Sequence, residues 1–341
     1  MKILMLSSSY PPDACGGGDY VFILVSHLQQ LGIDVEVFHN FAWKNNAKVF
    51  DFFQARKERD FDIAHWQYPT ANFGFSLIPH INSILKRNII TLHEVSYAHP
   101  LHQASYLPFS FTEDLIFTTS FEVDYFKRLF PWRKNHLHII PIGSNIPKAP
   151  SSLNRQSDIL YFGLITPRKG VEKVIDLAQQ LKNDGSQTIS RVVISGRVPE
   201  GYEDYYKELQ HRSENLPVLW EMDLSAEAVS LRMARAAVAY FPYPDGASDR
   251  RGSLKATLLN GLPTISTVGK ATNNELKNVL IPAAETPSDV LRQIETLVQD
   301  NIAWKQLAER SVTYASQFDW TEIARQHIQV YEDHLRRYPK H

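Results

Sequence analysis

The sequence predicts an α/β protein of two doubly wound domains that face each other across a cleft. Short apolar runs alternate with segments of helical spacing, which is typical of parallel sheets covered by helices. The alternation stops at Ile146–Ser157, where prolines and serines replace apolar periodicity, and then starts again. With 341 residues and 43% hydrophobic content, the chain is long enough for two cores.

Composition narrows the class of protein. The 36 Lys and Arg residues nearly balance the 37 Asp and Glu residues, so no basic field favours nucleic acid as a partner. The only cysteine is Cys15, which excludes a disulfide framework. The apolar start is too short for a signal-peptide core, and no run is long enough for a membrane helix. We therefore expect a cytoplasmic location.

Six strands and four helices are predicted in the first half. The predicted strands are Lys2–Ser7, Asp34–Phe38, Asp62–Trp66, Asn88–Leu92, Asp114–Thr119 and His136–Pro141. The predicted helices are Val21–Leu31, Val49–Arg59, Phe75–Lys86 and Phe121–Phe130. Together they predict an N-terminal domain over residues 1–146.

The second half repeats the pattern and ends in helices. Its predicted strands are Asp158–Phe162, Arg191–Ser195, Pro217–Trp220, Val238–Pro242 and Pro263–Ser266. Its predicted helices are Val171–Lys182, Tyr202–Ser213, Ala226–Ala236, Ser253–Asn260, Pro287–Gln299, Ile302–Tyr314 and Thr321–Arg337. We expect a second domain over residues 158–316, with the terminal helix, residues 317–341, packing back toward the first.

A glycine run, Gly16–Gly18, follows the first predicted strand inside a loop that spans Ser8–Asp19. It lacks the G-x-G-x-x-G order, and no acidic residue follows the next strand closely enough to bind a ribose, which disfavours a nicotinamide cofactor. We interpret the run as a mobile loop whose backbone approaches a ligand, with a flexible turn as the alternative.

The stretch Tyr243–Thr267 carries the features of an anion site. A Pro-Asp-Gly turn and the pair Arg250 and Arg251 precede a helix predicted to begin at Gly252-Ser253. Free N–H groups at a helix start suit a phosphate, and guanidinium groups bind the same oxygens in a fork. The alternative is an ordinary capped helix behind a solvated loop.

Polar residues also follow other predicted strands, where α/β proteins bind ligands. His93 and Glu94 come directly after one strand, and Ser120, Phe121 and Glu122 directly after another. The loop Gly163–Gly170 contains Arg168 and Lys169 and precedes a helix. A histidine in this position is as compatible with a structural role as with ligand binding.

In their order and spacing these pieces resemble the GT-B fold glycosyltransferases, and among them the retaining family 4 type. The similar segments are PPDACGGGDY, TLHEV, TTSFEV, IIPIGSNI, YFGLITPRKGVEKVIDLA, FPYPDG with LLNGLPTIST, and FDWTEIARQHIQVY, which together cover essentially the whole chain. The resemblance implies two Rossmann-like domains, with acceptor binding in the first and nucleotide-sugar binding in the second.

The sequence departs from the family pattern at three positions. The slots of the family's two glutamates, which contact the donor sugar and the nucleotide ribose, fall on Ser248 and Ala256. The family's arginine before its lysine is replaced by Leu164, while Lys169 matches the lysine. We expect Arg250 and Arg251 to restore positive charge, and Asp245 or Asp249 to supply a hydroxyl-binding carboxylate.

The resemblance implies transfer of a sugar, with retention, from a UDP- or GDP-sugar to a saccharide or lipid-linked saccharide in polysaccharide or glycoconjugate biosynthesis. Since the nucleotide sugar is a substrate, no cofactor is expected, and no Asp-x-Asp is placed to hold a metal. The catalytic residues it suggests are His93, Lys169, Arg250 and Arg251. Donor binding is assigned to Gly17, Gly18, Arg168, Asp245, Gly252, Ser253 and Leu254.

Two other functions remain open. One is a sugar-nucleotide epimerase or phosphorylase with the same fold. The other is a catalytically silent nucleotide-sugar-binding subunit, which the missing glutamates would explain.

One basic and aromatic stretch, Tyr125–Lys134, suggests a membrane surface. Its sequence, YFKRLFPWRK, fits peripheral contact with anionic lipid at the inner face of the membrane. The alternative, which the composition favours, is a solvated face in which Lys and Arg side chains cover a core helix.

Overall fold

The computed structural model describes residues 1–13, 15–85, 88–96, 98–150 and 155–339. Two compact units make up the chain: unit 1 comprises Met1–Gly143 and Asp319–His341, and unit 2 comprises Ser144–Phe318. Residues 151–154 of the expected linker and Lys86 of a predicted helix lie outside the described residues.

A six-stranded parallel sheet forms the centre of unit 1, in the order β2-β1-β3-β4-β5-β6. The strands are β1 (Lys2–Leu6), β2 (Asp34–Phe38), β3 (Ile63–Tyr68), β4 (Asn88–Leu92), β5 (Asp114–Phe117) and β6 (Leu137–Ile139). The helices are α1 (Gly16–Gln30), α2 (Val49–Lys57), α3 (Ile78–Ser83), α4 (Pro100–Ala104) and α5 (Ser120–Leu129), with 3-10 turns at Asn46–Lys48 and Pro108–Phe111.

Both faces of this sheet are covered, so its strands are apolar on both sides. Along β1, Leu4 and Leu6 join one buried cluster, while Ile3 and Met5 join another. Successive residues of a strand point to opposite faces, so the two clusters are the two sides of one sheet. This is why the strands appear in the sequence as continuous apolar runs.

Unit 2 has a second six-stranded parallel sheet, in the order β12-β11-β10-β7-β8-β9. The strands are β7 (Asp158–Leu164), β8 (Arg191–Arg197), β9 (Val218–Met222), β10 (Val238–Phe241), β11 (Thr264–Ser266) and β12 (Ile281–Pro282). The helices are α6 (Val171–Asp184), α7 (Glu203–Ser213), α8 (Ala226–Arg235), α9 (Gly252–Leu259), α10 (Asn274–Lys277), α11 (Pro287–Gln299) and α12 (Asn301–Ala315), followed by a 3-10 turn at Ser316–Phe318.

The last helix, α13 (Trp320–Arg337), belongs to unit 1. Its apolar residues Ile323 and Tyr331 are buried in the same cluster as the Ile3 side of the sheet. A Cβ atom added to Gly143 would lie 2.4 Å from the Trp320 ring, so only glycine allows this close approach.

The expectation of a Gly-rich loop is wrong, because Gly16–Gly18 form the first turn of α1. Glycine is a poor helix former, so the sequence pattern favoured a loop. Here its small size is used for packing: a Cβ on Gly18 would lie 3.2 Å from the Ser9 backbone, and one on Gly17 would lie 2.9 Å from Thr70 Cγ2.

None of the helices in the described residues is long and apolar enough to cross a lipid bilayer.

Candidate functional site

The strand order of unit 2 makes the carboxyl ends of β7 and β10 the expected place for a ligand. These strands are neighbours in the sheet. The strands that follow β7 in the chain, β8 and β9, lie on one side of the pair, and those that follow β10, β11 and β12, lie on the other side. In open α/β sheets ligands bind outside the carboxyl ends of the strands where the direction of winding changes. The loops that follow β7 and β10 are the two that carry Lys169 and the stretch from Tyr243 to Ser253.

The loop after β7 is held against the end of β10 by Gly170. This residue has φ 72° and precedes α6, and an added Cβ atom would lie 2.2 Å from the Pro242 carbonyl oxygen. Such a left-handed, crowded position requires glycine. The turn Pro167–Lys169 just before it therefore has a fixed place beside β10, with Lys169 half-buried and Arg168 exposed.

The loop after β10 is built around the fully buried Tyr243. Its hydroxyl lies 2.8 Å from Ser253 Oγ in the first turn of α9, and its ring stacks on Phe241 with 5.3 Å between centroids. Gly246 has φ 88°, and its Cβ position would lie 2.3 Å from the Gly269 nitrogen. These contacts fix the Pro-Asp-Gly turn that was predicted here.

Two cations lie against the Tyr243 ring. Arg251 Cζ is 4.5 Å and Lys169 Nζ 6.0 Å from the ring centroid, within the range of cation–π interactions. The pKa of Lys169 is lowered to about 8, mainly by burial and to a smaller extent by the charge of Arg251. The carboxylate of Asp245 acts in the opposite direction and raises this pKa. Because Arg251 also pairs with the half-exposed Asp245, the group has net positive charge suited to an anion.

Helix α9 begins beside these cations. Arg251 is its N-cap residue and makes no side-chain cap, and a Cβ atom on Gly252 would meet nothing within 4 Å. The N–H groups of Gly252, Ser253 and Leu254 precede the first residue that can bond within the helix. Leu254 has a buried side chain, so it can offer a ligand only its backbone.

A second group of charges lies beneath this helix start, and the sequence reasoning missed its lysine. Lys255 is 1% exposed, its Nζ lies 4.6 Å from the Phe318 ring centroid, and burial lowers its pKa to about 7. Asp249 raises that pKa and Arg250 lowers it, which places both charges near the ammonium group. A lysine in a short helix is usually on the surface, so the sequence pattern did not indicate this burial.

The expected replacements for the family's glutamates differ in their surroundings. Asp249 accepts hydrogen bonds from Tyr314 Oη (2.6 Å) and Asn273 Nδ2 (2.7 Å), so both carboxylate oxygens have partners inside unit 2. Asp245 is half-exposed and binds Arg251. The glutamate slots, Ser248 and Ala256, are both buried.

In unit 1, His93 follows β4 and is held by a chain of hydrogen bonds. Its Nε2 lies 2.9 Å from Gln67 Oε1, and Gln67 Nε2 lies 3.1 Å from His65 Nε2. Since an amide nitrogen only donates, His65 Nε2 accepts and its Nδ1–H donates to Tyr331 Oη at 2.7 Å. Burial, with two nearby histidines, keeps the pKa of His65 well below its usual range, so it is neutral. The Tyr20 ring contacts the His93 ring edge to face, with 4.8 Å between the centroids.

Glu122 fixes the loop that follows His93. This fully buried carboxylate accepts hydrogen bonds from the Val95 and Ser96 nitrogens, each at 2.9 Å, and from Ser96 Oγ at 2.6 Å. The Ser-Glu motif of the resemblance therefore has a structural role in this chain through Glu122.

A cavity of about 500 Å³ opens at the carboxyl ends of β1 and β2 in unit 1. Its lining combines the aromatic residues Tyr10 and Phe41 with polar side chains, namely Asp13, His39, Asn40, Lys44, Asn45 and Asn72. Ser8 also lines the cavity, and its hydroxyl oxygen is hydrogen-bonded to that of Thr70 at 2.7 Å. No sequence motif indicates this cavity, because its residues come from three separate loops.

The structure thus brings Lys169, Asp245, Arg251, Gly252 and Ser253 together in unit 2. The predicted site residues Arg168, Arg250 and Leu254 also belong to unit 2, whereas His93, Gly17 and Gly18 belong to unit 1. Among the residues that the structure describes, no group of three His, Cys, Asp or Glu side chains is arranged to hold a metal ion.

No protein-family model matches the sequence, and no curated protein matches it significantly. Solved structures do match over nearly the whole chain. HepE from Anabaena, in complex with UDP-glucose, has a TM-score of 0.68 and 18% identity, covering 98% of this chain and 100% of its own. Sucrose-phosphate synthase from Thermosynechococcus elongatus has a TM-score of 0.71 and 15% identity, covering 98% of each chain. WaaG, a glycosyltransferase involved in lipopolysaccharide biosynthesis, has a TM-score of 0.65 and 16% identity, covering 96% of this chain and 99% of its own. The predicted fold class, two Rossmann-like doubly wound domains of the GT-B type, is confirmed.

Proposed function

We propose that this protein is a retaining, metal-independent glycosyltransferase of the family 4 type that uses a nucleotide-diphosphate sugar. The observation that carries the proposal is the pair Lys169 and Arg251 on Tyr243, next to the start of α9, at the winding change of unit 2. The fold it shares with HepE, which was solved with UDP-glucose, supports UDP as the nucleotide, with GDP as the other candidate.

In the proposed reaction the cations stabilise the leaving nucleoside diphosphate. The bond between the anomeric carbon and the diphosphate oxygen breaks, and negative charge grows on that oxygen. Lys169, Arg251 and the N–H groups of Gly252 and Ser253 are fixed before the reaction begins, which makes their electrostatic contribution large. We assign Arg250 a supporting charge, Arg168 an outer phosphate contact, and Asp245 a contact to a donor hydroxyl.

Retention follows if the acceptor oxygen attacks on the face that the diphosphate leaves. The new bond joins the acceptor oxygen to the anomeric carbon, and the acceptor proton passes to the departing phosphate oxygen, so no protein nucleophile is required. His93 orients the donor sugar by hydrogen bonding, and the backbone at Gly17 and Gly18 is assigned to the donor as well. The hydrogen bond that His93 Nε2 donates to Gln67 Oε1 and the contact with Tyr20 fix the His93 ring for this task.

The cavity of unit 1 is the proposed acceptor site. Aromatic faces such as Tyr10 and Phe41 pack against the apolar face of a sugar, and amide and carboxylate groups hydrogen bond its hydroxyls. A saccharide or lipid-linked saccharide acceptor fits this lining. The proposed role is therefore polysaccharide or glycoconjugate biosynthesis in the cytoplasm.

The test is sugar transfer by the purified protein, with the product's anomeric configuration determined by NMR. UDP- and GDP-sugars are first screened by thermal shift, since a ligand at about 100 times its Kd stabilises by roughly 2.7 kcal/mol. We expect transfer with retained configuration, and loss of nucleotide binding in Arg250→Ala/Arg251→Ala. Unchanged nucleotide binding in that variant would refute the site.

The alternatives predict different products. An epimerase or phosphorylase would yield an epimer or a sugar phosphate, and a silent subunit would bind the donor without slow release of nucleoside diphosphate. A silent subunit is kept as an alternative because Ser248 and Ala256 occupy the glutamate slots.

A further inference from the structure

The exposed side of α3 in unit 1 is apolar, although the exposed face of a surface helix is normally polar. Leu77, Ile81, Ile84 and Leu85 have the spacing i, i+4, i+7 and i+8, which favours one side of α3 and of the residues that flank it at either end. All four are exposed, and Phe75, just before the helix, is 97% exposed. On the opposite face Ile78 and Asn82 are buried, so burial in the core does not explain the apolar side.

The apolar surface continues onto the neighbouring 3-10 turn and beyond it. Thr112 Oγ1 donates to the Ser83 carbonyl oxygen at 3.2 Å, which joins the turn to α3. Phe111, next to Thr112, stacks on Trp132 with 6.5 Å between centroids, and both rings are exposed. Trp132 Nε1 donates to Ser110 Oγ, so its polar atom has a partner while the ring faces outward. We call this whole surface, from Phe75 to Trp132, the α3 apolar surface.

Positive charges outnumber negative ones around the α3 apolar surface. Between Asp62 and Glu113 the sequence contains a single carboxylate, Glu94. Lys134 lies two residues after Trp132, and Lys127 and Arg128 lie a few residues before it, all three exposed. Glu113, two residues after Phe111, and the exposed Asp124 are the carboxylates nearest to these residues in the sequence, so the surface is apolar with a rim that is cationic on balance.

We infer that the α3 apolar surface docks unit 1 on an anionic lipid bilayer. Exposed apolar side chains such as Phe75 and Ile84 enter the boundary between headgroups and acyl chains, while Lys127, Arg128 and Lys134 face lipid phosphates. A two-fold pairing with a second copy would join the same surface to itself and bring its cations together, which opposes that occupant. Docking does not depend on the proposed sugar transfer, because it uses none of the residues assigned to donor or acceptor.

The test uses the whole 341-residue chain and vesicles, without nucleotide or acceptor. Sedimentation is measured with phosphatidylcholine alone and with roughly one third phosphatidylglycerol added, which supplies the negative surface. We expect binding to the anionic vesicles that weakens with salt. Phe75→Ser/Ile84→Ser should reduce it at least about ten-fold, since both side chains return to water.

The matched control changes the same residue types on other surfaces. Phe50, 82% exposed on α2, and Ile302, 71% exposed on α12, are replaced in Phe50→Ser/Ile302→Ser, which should change binding by less than about two-fold. Lys127→Gln/Lys134→Gln should weaken binding to anionic vesicles by roughly ten-fold or more and leave neutral vesicles unaffected. Unchanged thermal unfolding temperatures will show that the variants are folded.

Three outcomes would overturn the inference. The first is an absence of sedimentation with anionic vesicles. The second is an equal loss of binding in the two Phe and Ile double variants. The third is a dimer in solution that Phe75→Ser/Ile84→Ser dissociates, without vesicle binding, which would assign the surface to a second copy.

Discussion

Nucleotide binding should depend on pH just above neutrality through Lys169. Burial and the charge of Arg251 lower the pKa of this lysine to about 8 in the free protein. A bound diphosphate brings negative charge to the ammonium group and so raises its pKa. Binding above pH 8 therefore takes up a proton, and affinity falls as pH rises, whereas below about pH 7 it should be constant.

The size of the effect follows from the pKa. With a free pKa of about 8 and a bound pKa well above 9, UDP affinity falls about ten-fold between pH 7 and pH 9, or about 1.4 kcal/mol. The second ionisation of a phosphate has a pKa of about 6, so the diphosphate itself is already charged over this range.

Two variants isolate the lysine. Lys169→Met should bind UDP more weakly and lose the part of the pH dependence that comes from the lysine. Titration of the uracil base of UDP contributes equally to both proteins, so it cancels when they are compared. Arg251→Gln removes the second cause of the lowered pKa of Lys169, so the fall in affinity should begin at higher pH. Its affinity at pH 7 should drop roughly ten- to a hundred-fold, the value of a hydrogen bond to a charged group.

Isothermal titration calorimetry in two buffers of different ionisation enthalpy measures both affinity and proton uptake. The expected uptake is close to one proton at pH 9 for the wild type and close to zero for Lys169→Met. The same pH slope in both proteins would refute the assignment of the anion site to Lys169.

Three further predictions concern other residues. Replacing His93 with Ala should lower kcat strongly while leaving UDP affinity unchanged, and an unchanged kcat would remove it from the site. The pKa of Lys255 is lowered to about 7 by burial, against about 10.4 in an unfolded chain. The unfolded state thus binds more protons from about pH 7 to 10, so wild-type stability gains from rising pH. The unfolding temperature of Lys255→Met, relative to wild type, should therefore fall from pH 6 to pH 9, and a constant difference would contradict this. Gly143→Ala places a methyl group 2.4 Å from the Trp320 ring and should cost about 1–3 kcal/mol, whereas Gly16→Ala, with open space around it, should change the unfolding temperature little.

Much of the fold was predictable from the sequence because parallel strands covered on both faces are continuous apolar runs. The strands Asp34–Phe38 and Asn88–Leu92 and the helix Pro287–Gln299 have the bounds that the sequence predicts. Short elements were missed, among them Pro100–Ala104 and Asn274–Lys277, since one turn of helix leaves no periodicity to detect.

The candidate site was predictable in position and less so in its interactions. The order of apolar runs placed Lys169 and Arg251 in the segments that follow two strands, and the structure has them between β7 and α6 and between β10 and α9. That both cations lie on the Tyr243 ring, and that Asp245 binds Arg251, depends on tertiary packing between loops. The burial of Lys255 was equally beyond the pattern, because lysine in a short helix is usually solvated.

Unit 1 is discontinuous in the chain, which has a consequence for how the protein is made. Its sheet is synthesised first, yet α13, which supplies Tyr331 and Ile323 to the unit 1 core, follows the whole of unit 2. During synthesis unit 2 can complete its core as a continuous segment. The unit 1 sheet keeps part of its apolar face uncovered until α13 has been made. A nascent chain halted before Asp319 should therefore expose the Ile3 side of the sheet to chaperones, and adding a separate peptide of α13 should cover it.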